Sequence, residues 1–402
     1  MPSNSERRRY LQWLQIAVAL VVIGGVAAAG VYWFKHRGSS STSSREGGAT
    51  STANTPLPPP APPVCGDDEL LKMPVREKLA QLLMVGVTGA DDARNVVAKY
   101  HVGGIFIGSW TDLSMLKSLP EITTSGGLLP AAVSVDEEGG RVDRLKSVID
   151  AAPSAREMAK TMTTQQVHDL AKQRGDAMKN LGVTIDFAPV VDVSNEDDDA
   201  VIGDRSFSND PQTVIKYAGA FAQGLRDAGV LPVLKHFPGH GHGLGSADSH
   251  TGSVTTPPLS QLKQDDLIPY QSLTTQQPVA VMVGHLDVPG LTDGQPASLS
   301  PAAYKLLRDG DYGGTPFGGV VFTDDLSSMK AISDTYGVSD AVLKALQAGA
   351  DVALWVTTNE VPAVLDRLEN AVKANELTEQ RINDSLLRVA HMKPPNRQCG
   401  AH

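Results

Sequence analysis

From residue 65 onward, the chain alternates short apolar runs with longer amphipathic stretches. Eight runs of strand length recur in this part of the sequence: LLMVGV, GGIFIG, PAAVSVD, TIDFAPV, PVLKHF, AVMVGH, GGVVFTDD and VALWV. Between them lie stretches with helical spacing, such as DPQTVIKYAGAFAQGLRDAG and SDAVLKALQAGA. Eight strands that are each followed by a helix predict an α/β fold, a (β/α)8 barrel of the TIM type. Strands that are apolar throughout fit a parallel sheet covered on both faces, and a doubly wound open sheet is the alternative.

The N-terminal part follows a different pattern. An apolar run extends from Leu11 to Phe34, with basic residues on both sides and aromatic residues at both ends. Such a run is long enough to span a bilayer as a helix, and the arginines before it favour a cytoplasmic N-terminus. We expect residues 1–37 to be a cytoplasmic tip and a transmembrane anchor, with the catalytic part outside the membrane. The alternative is a signal peptide that is cleaved near VAAAG, which would give a secreted protein.

A segment of low complexity separates this anchor from the repeating pattern. Residues 38–64 are rich in Ser, Thr, Gly and Pro and contain too few apolar residues to form a core. We interpret them as a disordered linker and residues 65–402 as one barrel domain. The two cysteines of the chain, Cys65 and Cys399, bracket that domain. An oxidising compartment favours a disulfide between them, and two unpaired surface thiols are the alternative.

Composition and charge exclude several classes of function. The formal net charge is -10, whereas a nucleic-acid partner requires a basic surface. Neither a GxxxxGK[ST] motif nor a GxGxxG motif after a strand occurs, so nucleotide binding has no support. We therefore expect no nucleic-acid partner and no cofactor, and a monomer is the default for this acidic chain.

Polar residues follow the carboxyl ends of five consecutive predicted strands, from the third to the seventh. They are Asp136, then Asp186 and Asp192, then Lys235 and His236, then His285, and finally Asp324 and Asp325. The carboxyl ends of barrel strands surround the place where barrel enzymes bind their substrates. A solvated loop charge would explain any single one of these residues, but it explains the whole set poorly.

The segment KHFPGHGHGLGSADSH, residues 235–250, contains four of the ten histidines of the chain. His240 and His242 are two residues apart in a glycine-rich loop, which differs from the helical HExxH spacing of zinc enzymes. No cysteine lies nearby, although zinc needs three or four ligands that are held rigidly. We expect no metal site here, and we expect these two histidines to pack in the loop or to line its mouth.

The remaining residues of this segment suggest acid/base chemistry. Lys235 and His236 end a strand and can donate hydrogen bonds to hydroxyl groups. Asp248 and His250 form an Asp-x-His pair, in which the carboxylate orients the ring for general acid/base catalysis near neutral pH. Asp324 then supplies a carboxylate nucleophile, since no GxSxG motif indicates a catalytic serine.

Several long motifs resemble those of glycoside hydrolase family 3. They are KHFPGHG, DSH, IGDRSF, VDEEGGRVDRL and VVFTDDLSSMKAI, and they lie at strand ends in the order expected for that family. The resemblance covers about residues 70–390 and is greatest to the single-domain β-N-acetylglucosaminidases of the peptidoglycan-recycling type. Larger family members carry a second α/β domain after the barrel, for which a chain that ends at His402 leaves no room.

The resemblance implies a role for each matching residue. Asp324 matches the nucleophile that forms a covalent glycosyl-enzyme, His250 matches the acid/base, and Asp248 matches its partner. The sugar-binding positions correspond to Asp136, Arg144, Arg205, Lys235 and His236. The neighbouring acids Glu137, Glu138 and Asp325 are interpreted as structural or rim residues, with Asp325 the rival nucleophile. The stretch HGLGSA before DSH is longer than the motif suggests, so we expect its loop to close on substrate.

The resemblance therefore implies a retaining exo-β-N-acetylglucosaminidase that is tethered outside the membrane. Its expected partner is an amino-sugar substrate, a muropeptide or a related β-GlcNAc glycoside. The alternatives are another β-glycosidase of the same family and a non-catalytic sugar-binding protein of the cell wall. The sequence leaves open the natural aglycone and whether phosphate replaces water as the acceptor.

Overall fold

A computed structural model of the chain describes residues 66–244 and 248–393, and its centre is a parallel sheet of eight strands. The strands are β1 Leu83–Val87, β2 Gly104–Ile107, β3 Ala132–Val135, β4 Ile185–Asp186, β5 Leu231–Phe237, β6 Ala280–Val283, β7 Val321–Thr323 and β8 Ala353–Trp355. Their order in the sheet is β7-β6-β5-β4-β3-β2-β1-β8, and every pairing is parallel. All eight predicted strands are present.

The two edge strands of this sheet meet and nearly close it into a barrel. Phe322 of β7 forms a parallel bridge with Val352, the residue before β8. Beside it, Thr323 N donates to Val352 O at 3.0 Å, and Leu326 N donates to Leu354 O at 2.9 Å. The barrel prediction is confirmed and the open sheet is wrong, because an open sheet would leave these backbone groups unpaired.

A helix follows each strand and covers the outside of the barrel. In chain order these helices are Ala90–Tyr100, Leu119–Thr123, Thr164–Asn180, Pro211–Asp227, Ile268–Leu273, Pro301–Asp309, Val338–Ala348 and Val361–Lys373. Further α-helices span Asp67–Leu71, Val75–Ala80, Ala155–Thr161, Leu259–Leu262, Lys330–Ser333 and Glu379–Met392, and 3-10 turns span Leu113–Ser118, Gly203–Arg205 and Ala297–Leu299. Two small sheets pair Glu137–Gly139 with Val142–Asp143 and Val254–Thr255 with Leu286–Asp287.

Capping residues determine where the two longest helices begin. Before Pro211–Asp227, the Asp210 side chain accepts hydrogen bonds from the backbone of Gln212 and Thr213, and a proline opens the first turn. The helix Thr164–Asn180 begins with a capping box between Thr163 and Gln166. These bonds satisfy backbone donors that have no partner within the helix.

Several sequence predictions concern residues outside the described part, namely the membrane anchor, the linker and both cysteines. Within residues 66–244 and 248–393, no helix has the length and apolar character needed to cross a membrane. The two ends of the described chain lie side by side, because Asp67 contacts the His391 ring at 2.9 Å. A disulfide between Cys65 and Cys399 remains a prediction, and this contact is compatible with it.

Candidate active site

A cavity of about 200 Å³ opens at the carboxyl ends of the barrel strands. The predicted nucleophile, the predicted acid/base and all five predicted sugar-binding residues line it: Asp324, His250, Asp136, Arg144, Arg205, Lys235 and His236. Asp248 does not line the cavity but is hydrogen-bonded to His250. The structure therefore brings the predicted residues together, at the end of the barrel where such enzymes place their active sites.

Asp324 directly follows β7 and presents its carboxylate to this cavity. One carboxylate oxygen accepts a hydrogen bond from the Asp325 backbone N–H at 2.9 Å. Burial alone would raise the pKa of Asp324, but the neighbouring His236 and His285 rings and the Asp325 N–H outweigh burial and lower the pKa below its usual value. The side chain is therefore a carboxylate near neutral pH, which is the form a nucleophile needs.

Asp325 also borders the cavity, but the turn that follows β7 occupies both of its oxygens. One oxygen accepts from the Ser327 backbone at 2.8 Å and from the Ser327 hydroxyl at 2.7 Å. The other accepts from the Ser328 backbone at 3.1 Å and from the Ser328 hydroxyl. These four bonds make Asp325 an anchor of the turn, which favours Asp324 over Asp325 as the nucleophile.

Asp248 and His250 form the expected pair in the loop after β5. The ring Nδ1 and the backbone N–H of His250 both lie near Asp248 Oδ1, at 3.0 and 2.9 Å. The His250 side chain is 60% exposed, so its remaining nitrogen is free to face a substrate at the mouth of the cavity. The loop rests on the segment after β7, because Ala331 N donates to Ser249 O at 3.0 Å. Residues 245–247 lie outside the described part, so closure of this loop remains a prediction.

Four charged side chains form an ion cluster on the cavity wall. Lys235 Nζ contacts Asp136 at 2.5 Å and Glu138 at 2.7 Å. Arg205 binds both oxygens of Glu138, at 2.9 and 2.8 Å. Burial opposes ionisation of Glu138, but the charges of Arg205 and Lys235 lower its pKa far below the usual value. Glu138 therefore holds two predicted sugar-binding cations in place.

The adjacent acid, Glu137, points to the other side of its strand and has a different role. It is fully buried, forms an ion pair with Arg174 and accepts from the backbone N–H groups of Arg144 and Leu145 at 2.8 and 3.0 Å. These bonds fix the turn that presents Arg144 to the cavity. Arg144 Nε is buried and has no hydrogen-bond partner among the described residues, so it can donate to a bound ligand.

Asp192 organises the start of the histidine-rich loop. Its carboxylate contacts His236 Nδ1 at 2.7 Å and accepts from the His240 backbone N–H at 2.8 Å. His240 lines the cavity, as expected, and burial lowers its pKa to about 4, so the ring is neutral. Asp192 thus orients His236 at the cavity wall and holds the backbone that leads to His250.

His242 packs away from the cavity and contacts Asp266 at 2.9 Å and Asp265 at 3.7 Å. His242, Asp265 and Asp266 are of residue types that can bind a metal ion. Their potential ligand atoms lie within 4.8 Å of one another. The contacts of both ring nitrogens with carboxylates match a packing role for His242.

Three of the strand-end residues differ from the expectation that they face the cavity, namely Asp192, His285 and Asp186. His285, after β6, is buried, and its ring nitrogens contact the Ser298 hydroxyl at 2.6 Å and Asp325 O at 2.8 Å. Asp186, at the end of β4, is buried and accepts from the Glu137 backbone at 2.9 Å, and burial raises the pKa of Asp186 to about 7. All three residues support the loops of the site and do not line it.

Two features of the cavity were not predicted from the sequence: the Trp110 ring and the position of Glu138 at the centre of the ion cluster. Trp110 lines the cavity with an indole that is 45% exposed, packed edge-on to Phe106 at 5.9 Å between ring centroids. Its ring lies over Gly108, where a Cβ atom would come within 2.3 Å of it. Trp110 could have been predicted as a cavity residue, because it is an aromatic residue in the polar segment after β2. Charged residues at strand ends do not indicate such a position.

Replacing Glu138 by glutamine should weaken both the fold and substrate binding. Lys235 and Arg205 would then lose the charge between them, and breaking a buried ion pair leaves uncompensated charge. We expect a lower melting temperature and a loss of kcat/KM of about 100-fold, since the predicted sugar-binding residues Lys235 and Arg205 lose their position. The exposed Glu157→Gln serves as the control for a general effect of charge. Wild-type kcat/KM in Glu138→Gln would contradict the positioning role.

Comparison with known proteins agrees with this geometry. Residues 74–392 match the model of the glycosyl hydrolase family 3 N terminal domain. The chain belongs to glycoside hydrolase family 3. This confirms the resemblance seen in the motifs of the sequence.

Several family members are similar over most of the chain. Beta-hexosaminidase LpqI of Mycobacterium tuberculosis is 66% identical over 328 residues, which cover 81% of this chain and 84% of the relative. The solved structure of M. tuberculosis LpqI has a TM-score of 0.81 and covers 83% of this chain and 97% of that one. A family 3 β-N-acetylglucosaminidase from Paenibacillus sp. str. FPU-7 is 31% identical, has a TM-score of 0.75, and covers 82% of this chain and 64% of that one.

Proposed function

We propose that the protein is a retaining exo-β-N-acetylglucosaminidase that hydrolyses terminal β-linked GlcNAc. The observation that carries this proposal is one cavity lined by the Asp324 carboxylate and by the His250 ring of the Asp248–His250 pair. A nucleophile and a proton donor on one sugar site are the two groups that a retaining mechanism requires. The similarity to proteins named β-hexosaminidase and β-N-acetylglucosaminidase supports the choice of sugar.

In the first step, Asp324 attacks the anomeric carbon of the sugar. The bond between that carbon and the leaving oxygen breaks, and the protonated His250 ring gives its proton to this oxygen. The product is a glycosyl ester on Asp324, and the departing alcohol is neutral. Asp248 stabilises the protonated ring before transfer, because its carboxylate contacts Nδ1 at 3.0 Å.

In the second step, the neutral His250 ring accepts a proton from water. The water oxygen bonds to the anomeric carbon and displaces the Asp324 carboxylate. Two successive inversions leave the configuration of that carbon unchanged, so the enzyme is retaining. A neutral histidine does not repel an anionic acceptor, so phosphate is a competing acceptor that a product analysis would detect.

The ion cluster supplies groups for the sugar itself. Asp136, Arg205, Lys235 and His236 offer donors and acceptors to hydroxyl groups, and the unpartnered Arg144 Nε offers a further donor. We infer that they hold the hydroxyls and the N-acetyl group of the terminal unit. A pocket built for hydrogen bonds rejects sugars that leave its buried polar groups unpaired.

The proposal is tested by comparing aryl β-GlcNAc with aryl β-glucose as substrates of the full-length chain. We expect kcat/KM to be at least about 100-fold higher for the amino sugar, because the N-acetyl group satisfies groups that glucose leaves unpaired. Equal rates would favour a β-glycosidase of other specificity. Activity on neither substrate, with binding of GlcNAc retained, would favour a non-catalytic sugar-binding protein.

The exposed Trp110 ring predicts a contact with the aglycone, the part of the substrate that leaves. An aromatic face at the mouth of a sugar cavity can stack on the ring of a second sugar, which contributes roughly 1 kcal/mol. We expect Trp110→Ala to lower kcat/KM about tenfold for a β-GlcNAc disaccharide and less than about twofold for β-GlcNAc fluoride, whose leaving group has no ring. Trp110→Phe should retain most of the activity, and Val148→Ala is the control for an exposed apolar residue. Equal losses on both substrates would contradict stacking.

We further propose that the substrates are peptidoglycan fragments and that the enzyme works as a monomer outside the membrane. The resemblance to peptidoglycan-recycling family members motivates the substrate, the acidic composition motivates the monomer, and the apolar N-terminal run motivates the location. Release of GlcNAc from purified muropeptides, together with protease accessibility of the domain in intact cells, would test them.

A further inference from the structure

A second cavity lies at the opposite end of the barrel from Asp324, at the amino ends of the strands. Its volume is about 520 Å³, and it shares no lining residue with the catalytic cavity. Residues just before or at the start of β3 to β6 form its wall, including Pro130, Thr184, Val230 and Pro278. The end of the helix Glu379–Met392 forms another side.

Four basic side chains border this second cavity, and no aspartate or glutamate among the described residues lines it. The four are Lys179, Arg226, His391 and Lys393. Lys179 and Arg226 lie in the last turns of their helices, where a cation complements the helix dipole. That explanation accounts for basic residues at helix ends, but it does not account for the burial of Lys393 or of one nitrogen of Arg226.

Lys393 is 5% exposed, and its ammonium donates to the amide oxygen of Gln81 at 2.8 Å. No carboxylate contacts it among the described residues. Burial lowers the pKa of Lys393 to about 7. Buried ammonium groups are normally paired with an acid, whereas no acid within residues 66–244 and 248–393 pairs with Lys393.

Arg226 also lines this cavity, and one of its donor nitrogens is unpaired among the described residues. Its Nε and Nη2 atoms bond to the neutral amide of Gln223 at 3.2 and 2.7 Å, and Nη2 also contacts Gln276 at 3.2 Å. Its Nη1 atom is buried and has no partner among the described residues. The adjacent Asp227 contacts His168 at 2.9 Å and forms no ion pair with Arg226.

We propose that this cavity binds an anion that carries a phosphate or carboxylate group. The anion would accept a hydrogen bond from Arg226 Nη1 and would compensate the charge of Lys393, as charge-assisted bonds do. Ala131, Ile185 and Leu231 give the wall apolar surface for a nonpolar body. The group could belong to a soluble molecule or to a lipid headgroup, since both can carry the same anionic group.

The test uses the full-length chain in nanodiscs of neutral lipid and inorganic phosphate as the probe. We expect phosphate to bind in the millimolar range and to raise the melting temperature. Arg226→Gln should weaken this binding at least about tenfold, because a charge-assisted bond is lost. The exposed Lys117→Gln is the matched control and should bind phosphate like wild type. Hydrolysis of aryl β-GlcNAc should be unchanged in both variants, since the two cavities lie at opposite ends of the barrel.

Lys393→Met is a second variant, which tests the site even if Arg226→Gln does not fold. Removing an unpaired buried charge should raise the melting temperature without phosphate and abolish the further rise that phosphate causes. Wild-type phosphate affinity in Arg226→Gln and Lys393→Met, or displacement of phosphate by GlcNAc, would overturn the proposal. Weaker phosphate binding in nanodiscs of anionic lipid would assign the site to a headgroup, and unchanged binding would assign it to a soluble ligand.

Discussion

Replacing Asp324 by asparagine is expected to lower kcat by at least about four powers of ten, because the amide cannot form the glycosyl ester. The fold should survive, since the amide oxygen can still accept the Asp325 N–H that Asp324 accepts at 2.9 Å. The measurements are kcat on aryl β-GlcNAc and the melting temperature. The lowered pKa of Asp324 predicts further that its ionisation does not limit wild-type activity until the pH falls below the usual range of an aspartate.

Two controls separate this effect from a general loss of charge. Asp325→Asn removes the rival carboxylate, whose oxygens bind Ser327 and Ser328, so it should lower stability more than chemistry. The exposed Asp334→Asn should leave both quantities unchanged. If Asp325→Asn lost more turnover than Asp324→Asn while remaining folded, the nucleophile would be misassigned.

Replacing His250 by alanine should produce a loss that depends on the leaving group. Alkyl and sugar alcohols need a proton in order to leave, so we expect kcat to fall by about 10³-fold for a disaccharide. An activated aryl group leaves without a proton, so the first step should be nearly unchanged for that substrate. Single-turnover and steady-state rates on both substrates separate the two steps.

Asp248 gives an independent test of the pair. Asp248→Asn keeps a hydrogen-bond acceptor for His250 Nδ1 but loses the charge, so it should retain part of the rate on a disaccharide. The same loss on all leaving groups in His250→Ala would exclude His250 as the proton donor.

Apolar patterning was sufficient to predict the barrel, because most strand residues are apolar and buried on both faces of the sheet. The burial pattern of β1, β2, β3 and β6 is complete from end to end. The closure between β7 and β8 followed from the number of strands rather than from any residue. The bond partners of Phe322 and Thr323 were not predictable, since they depend on the register in which β7 meets β8.

The candidate site was predictable where a residue directly follows a strand, as Asp324 and Asp136 do, or lies near its carboxyl end, as Lys235 does. The site was less predictable for acidic residues within a strand, because neighbouring side chains point to opposite faces of the strand. Glu137 and Glu138 are neighbours in sequence, yet one binds Arg174 in the protein interior and the other binds Arg205 and Lys235 on the cavity wall. His285 looked like a rim residue but is buried, because its ring fills the space beside the turn that Asp325 anchors.

The contact between Asp67 and His391 has a consequence for protein engineering. Because the two ends of the described domain meet there, a short peptide could join them without crossing the barrel. A circular permutant with new ends in an exposed surface segment should keep the order of strands around the barrel. A second protein could then be fused to the new ends, at a surface position away from the cavity. The cavity at the carboxyl ends of the strands would stay open.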